Sequence, residues 1–150
     1  EAFEQALWCE GVDASSFTLL YGHANDALKA ADIGLVASGT ATLEAALARC
    51  PQVVFYRVAP LTARIVQRTL LVPWVGLPNV LAGRFVVPEL LQEDATPENL
   101  AQAALNLFDD TVTRHALERL FAGFARELAA DTGALAADAV ASELALATPD

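Results

Sequence analysis

The sequence predicts an α/β fold with a parallel sheet, on three observations. Short apolar runs recur, and each leads into an amphipathic stretch of helical length. Hydrophobic residues make up 55% of the 150 positions, enough to bury one sizeable core. Beyond residue 96 the strand pattern stops, and alanine- and leucine-rich helical sequence takes over. Parallel strands cannot be joined by tight hairpins; they need crossover connections, which helices supply.

Residues 2–9 are mixed in character and read as a short helix. "SFTLLYG", residues 16–22, reads as a strand closed by a glycine. A helix over about residues 25–31 follows, with Ala24, Leu28 and Ala31 on one face, and then a buried strand over residues 33–36. Residues 41–49 form the next helix, which Pro51 stops, and "QVVFYRV" is the strand after it. "APLTARIVQRTLL" is helical, with Pro60 suited to its first turn.

"VPWVGLPNVLAGRFVVPE" differs in kind. Its prolines and glycines break regular structure while Val, Leu and Trp bury it, so an ordered loop is expected, with a short strand near Trp74 and Val75. Thr96 and Pro97 open a helix as N-cap and first helical residue. Helices over residues 97–108, 112–130 and 134–147 complete the chain, with Asp109 and Asp110 as linker and cap between the first two. These helices cover the sheet or pack on a partner.

A net charge of −10 argues against general nucleic-acid binding, which needs a basic face. The charge is unevenly spread. Residues 52–88 hold no Asp or Glu but contain Arg57, Arg64, Arg68 and Arg84, a setting for an anionic ligand or for acids from elsewhere in the fold. No apolar run is long enough to span a bilayer. The chain starts at Glu1 and contains no Met, and it reads as a piece of a longer protein. Cys9 and Cys50 lack metal-ligand spacing and read as free thiols of a cytoplasmic protein. No metal motif and no cofactor are expected.

The stretch "VASGTATLEAALARC" carries the sharpest functional signal. Ser38, Gly39 and Thr40 fall between a strand and a helix, where the first amides of the helix lack intrahelical partners and its dipole favours an anion. Gly39 lets a phosphate approach the backbone, and Ser38 and Thr40 add hydroxyls. Glu44, one turn on, would repel phosphate but would accept hydrogen bonds from the paired hydroxyls of a ribose. A nucleoside diphosphate satisfies both halves. The plainer alternative is a capped helix start with Glu44 in solvent. The dinucleotide-binding glycine pattern and the Walker loop are both absent.

"AADIGLVASGTATLEAAL", "CPQVVFYRVAPLT" and "VGLPNVLAGRFVVPELLQEDATPE" together resemble lipid-A-disaccharide synthase in its carboxyl-terminal half, from about residue 22 to residue 98. The last stretch is the specific one. The resemblance implies the carboxyl-terminal, donor-binding domain of a two-domain B-type glycosyltransferase, Rossmann-like, with residues 97–147 as a helical part and the acceptor domain outside this chain. It implies transfer of 2,3-diacylglucosamine from its UDP conjugate to 2,3-diacylglucosamine 1-phosphate, giving lipid A disaccharide 1-phosphate and UDP. Ser38, Gly39 and Thr40 match the diphosphate turn, Glu44 the ribose acceptor and Asn79 a donor-site residue. Arg57, Arg84, Glu89 and Gln92 match the pattern without individual roles, although either arginine would stabilise the departing UDP where other transferases use a metal.

The general base is expected in the absent half, because neither His23 nor His115 replaces it. The two lipid substrates imply contact with the cytoplasmic face of a membrane, for which "PLTARIVQRTLLVPW" offers apolar residues, two arginines and a Trp. The same stretch equally suits packing on the absent domain or on a second copy in a homodimer. Other readings kept open are a different UDP-sugar transferase, a UDP-GlcNAc 2-epimerase-like enzyme, and a noncatalytic helical interaction module.

Overall fold

A computed structural model describes residues 2–59, 73–129 and 131–146. The helix expected in "APLTARIVQRTLL", including Arg64 and Arg68, lies outside the described residues. A three-stranded parallel sheet is the centre of the fold: β1 (Gly34–Ala37), β2 (Gln52–Tyr56) and β3 (Glu89–Leu91), in the order β1-β2-β3. The register sets Val36 beside Val54, and Val54 beside Glu89, so the carboxyl ends of all three strands lie along one edge.

Among the described residues the helices are α1 (Ala2–Cys9), α2 (Ala24–Ala30), α3 (Thr40–Leu47), α4 (Leu77–Ala82), α5 (Pro97–Asp109), α6 (Thr111–Leu128) and α7 (Thr132–Leu146). α3 is the crossover from β1 to β2. Its inward residues are Thr42, Ala45 and Ala46, all fully buried, and the two alanines let α6 approach closely. α6 answers with Leu117, Phe121 and Phe124, a stripe at helical spacing that is buried against Val53, Val54, Val87 and Leu107. Phe121 is completely enclosed, and its truncation to Ala is expected to cost about 3–5 kcal/mol.

The ends of the carboxyl-terminal helices follow capping chemistry. The Thr96 hydroxyl accepts from the Asn99 amide, as the sequence predicts for α5. The Asp110 carboxylate accepts from the amide and the hydroxyl of Thr113 at the start of α6, and these bonds hold its pKa below the usual value. Cys50 is buried under α2 and α3; burial, with a smaller contribution from Asp32, pushes its thiol up to about 11.

Three expectations need correcting. Residues 16–22 form no strand: after a short 3-10 turn (Ala14–Ser16) the chain runs irregularly, leaving Phe17, Leu19, Leu20 and Tyr21 exposed. Among the described residues β1 pairs with β2 alone, and no described strand pairs with residues 16–22. The inward face of α2 is Ala27 and Leu28 rather than Ala24, Leu28 and Ala31. Finally, Trp74 and Val75 make no strand; the third strand is β3, further along. The reason is chemical: the amides of Val75 and Gly76 donate to the Glu89 carboxylate, at 3.0 and 2.9 Å, and so are not available to a ladder.

Candidate functional site

The carboxyl edge of the sheet brings together the turn after β1, the residues after β2 and the segment leading into α4. Ser38 leaves β1 with its amide donating to the Phe55 carbonyl at 2.8 Å, which pins the turn to the sheet. Its hydroxyl donates to the Val75 carbonyl at 3.1 Å, tying the turn to the segment before α4. Gly39 then adopts φ 145° and ψ −164°, a region essentially reserved for glycine, with nothing within 4 Å of where a Cβ would stand.

This conformation starts α3 with no side-chain cap. The amides of Gly39, Thr40 and Ala41 have no acceptor among the described residues. All three residues are exposed, at the end of a helix where the dipole carries partial positive charge. The helix start is therefore open rather than capped, and its geometry suits an anion with several oxygens. Glu44 follows one turn later, exposed, bordering a hollow of about 330 Å³ with Asn25, Lys29 and Leu47.

Thr42 holds this corner together, and the site residues expected from the sequence do not include it. It is fully buried; its hydroxyl donates to the Gly39 carbonyl at 2.8 Å and accepts from the Leu77 amide at 3.3 Å. Its own carbonyl accepts from the Gln52 side chain at 2.9 Å. Turn, α3, β2 and the start of α4 thus meet at one residue. The available signal is that Thr42 shares the inward face with Ala45 and Ala46, and a buried hydroxyl requires partners.

Asn79 and Glu89 have a different placement from the one expected of ligand contacts. Asn79 is fully buried: its amide nitrogen donates to the Val87 carbonyl at 2.9 Å and to Glu89 Oε1 at 2.7 Å. Its oxygen accepts from the amides of Val86 and Val87, at 2.7 and 2.9 Å. Every hydrogen-bonding position of the side chain is engaged inside the protein. The Glu89 carboxylate is likewise occupied by Asn79 and by the amides before α4. A Cβ on Gly76 would stand 3.0 Å from Glu89 Oε1 and 3.2 Å from Val54, so a glycine is what lets the segment lie this close. Both polar residues position the loop; Asn79 has no unbonded position left for a ligand, and Glu89, half-buried, already accepts from three donors.

The remaining candidates divide. Arg57 is exposed just past the carboxyl end of β2, on the same edge as the turn. Gln92 follows β3 on that edge, and its side-chain oxygen accepts from the Val58 amide at 3.2 Å. Arg84 is exposed after α4 and borders a small hollow with Thr113, Ala116 and Leu120 of α6, none of them residues of the turn. His23 and His115 are both exposed, beside Asp26 and Glu118 respectively. Among the described residues no cluster of His, Cys, Asp or Glu is placed to hold a metal.

The family model described as Lipid-A-disaccharide synthetase matches residues 2–140. The chain is 51% identical over 138 residues to the lipid-A-disaccharide synthase of Dechloromonas aromatica, an overlap covering 92% of this chain and 36% of that protein. It is 46% identical over 140 residues to the same-named protein of Chromobacterium violaceum, covering 93% of this chain and 36% of that protein. For Cellvibrio japonicus the identity is 50% over 123 residues, covering 82% of this chain and 32% of the relative. The chain thus spans about a third of the length of the curated relatives it matches. With a match that runs through the open turn, the α4 loop and the carboxyl-terminal helices alike, the chain belongs to the lipid-A-disaccharide synthetase family.

Proposed function

We propose that this chain is the nucleotide-sugar donor domain of a glycosyltransferase. The reaction transfers 2,3-diacylglucosamine from its UDP conjugate to 2,3-diacylglucosamine 1-phosphate, giving lipid A disaccharide 1-phosphate and UDP. The observation that carries this reading is the uncapped start of α3, where three amides without acceptors among the described residues surround a glycine at φ 145°. The diphosphate accepts from the amides of residues 39–41, and Thr40 adds a hydroxyl. Glu44 accepts from the ribose hydroxyls. As the glycosidic bond to UDP breaks, negative charge grows on the β-phosphate, and donors already fixed in place stabilise it without reorganisation. Arg57, on the same edge, supplies a cation near that charge.

The acceptor pocket and the general base belong to the part of the relatives that this chain does not match, so chemistry is assigned to the intact protein. The lipid substrates imply a peripheral position on the cytoplasmic face of a membrane; no helix among the described residues is long and apolar enough to cross one. Homodimerisation through the carboxyl-terminal helices is part of the same proposal.

Calorimetric titration of the intact protein with UDP tests the reading. Saturable heat is expected, weakened about tenfold when Gly39→Val removes access to the amides. Heat indistinguishable from dilution, or equal affinity in both proteins, overturns it. Comparing the diacylated donor with UDP-GlcNAc then separates a lipid A transferase from another UDP-sugar enzyme, since only the former needs the acyl chains.

A further inference from the structure

At the opposite end of the sheet, where β1 and β2 begin, a cleft of about 560 Å³ opens between the ends of α2 and α3 and the first half of α6. Its charged lining is Lys29, Asp32, Arg49, Arg114, Glu118 and Arg119. Four cations therefore face two acids, in a chain whose net charge is −10.

Both acids already have partners. Asp32 lies 3.5 Å from Arg114, and Glu118 lies 3.1 Å from Nδ1 of His115. The side chains of Lys29, Arg49 and Arg119 have no ion-pair or hydrogen-bonding partner among the described residues. The Arg114 guanidinium lies over the Phe108 ring, 5.1 Å from its centroid, and its Nε is buried without a partner among the described residues. Carbonyl oxygens at the ends of α2 and α3 account for Lys29 and Arg49, which sit where a cation favours a helix terminus. They do not account for Arg114 and Arg119, which project from the first half of another helix.

We propose that this cleft binds a phosphate group, on a soluble phosphorylated molecule or on a lipid headgroup, at a site separate from the donor corner. Arg114 is the anchored member: its guanidinium lies over the Phe108 ring and beside Asp32, and its fork matches phosphate oxygens. Arg49 and Arg119 line the cleft beside it, with Lys29, which also borders the hollow next to Glu44. The proposal does not depend on UDP binding at the Gly39 turn.

The test uses the intact protein, titrated calorimetrically with inorganic phosphate and with glycerol 3-phosphate. It is also sedimented with phosphatidylcholine vesicles, with and without phosphatidylglycerol. Arg119→Gln is compared with Arg126→Gln, which removes the same charge from an exposed position of α6 outside the cleft. Saturable binding of at least one probe is expected, about tenfold weaker in Arg119→Gln and nearly unchanged in Arg126→Gln. A response confined to the soluble probes identifies a phosphorylated metabolite; a response to phosphatidylglycerol vesicles alone identifies a headgroup. No saturable binding of any probe overturns the proposal, as does equal weakening in the two variants. A parallel loss of UDP affinity in Arg119→Gln overturns the separateness of the site.

Discussion

The turn at residues 38–40 and the loop from Val75 to Glu89 touch each other, yet they treat their polar groups in opposite ways. In the loop, the Asn79 side chain makes four hydrogen bonds and is wholly buried, and the Glu89 carboxylate receives three donors. In the turn, exposed amides and the Thr40 hydroxyl face outward without acceptors among the described residues. A buried group that is fully bonded has no capacity left for a ligand; its energy goes into shape. An exposed amide held open by a rigid neighbour retains its capacity. The loop is a support, and the turn keeps the free donors that the proposed diphosphate needs. Thr42 joins them.

That contrast can be broken most forcefully at Asn79. Asn79→Ala leaves two amides, one carbonyl and part of the Glu89 carboxylate without partners, and is expected to cost about 3–5 kcal/mol in urea unfolding. A cost below about 1 kcal/mol, with UDP affinity lost outright, would instead make Asn79 a ligand contact. Gly39→Ala comes next. No neighbour obstructs the new methyl, but the backbone conformation is one that alanine rarely adopts, so a loss of about 1–3 kcal/mol is expected together with weaker UDP binding.

Thr42→Val keeps shape and removes the bridge between turn and loop. It is expected to cost about 1–2 kcal/mol and to weaken UDP without touching it, whereas Thr42→Ser, which keeps the hydroxyl, restores affinity. Glu44→Gln sharpens the comparison from the other side. Because Glu44 is exposed, stability should stay within about 0.5 kcal/mol of the parent, while UDP affinity falls and the affinity for inorganic diphosphate does not. A Glu44→Gln protein that binds UDP as the parent does removes the ribose assignment alone.

Much of the architecture is legible in the amino-acid sequence. The Thr96-Pro97 start of α5 and the Asp110 cap of α6 follow from local chemistry, because a cap is satisfied by amides within a few residues. The helices at residues 40–47, 97–109 and 111–128 follow from apolar spacing, which depends only on the helical period. The strand expected at Trp74 and Val75 did not form, because its amides are taken by a carboxylate more than ten residues away. No propensity scale contains that carboxylate. The strand expected at residues 16–22 illustrates the same limit: apolar alternation supplies the side chains of a strand, but a strand exists only where another chain segment meets its backbone.

The candidate site divides along the same line. By itself, the sequence determined that a strand ends near residue 36, that Ser38, Gly39 and Thr40 open the next helix, and that a carboxylate stands one turn inside it. Those are properties of neighbours, governed by backbone stereochemistry over a few residues. Only the tertiary structure decided that Asn79 and Glu89 are bonded to each other, that Thr42 bridges two loops, and that four scattered cations share one cleft. Hydrogen bonds and charges act over a few ångströms in space, and only folding brings distant positions that close.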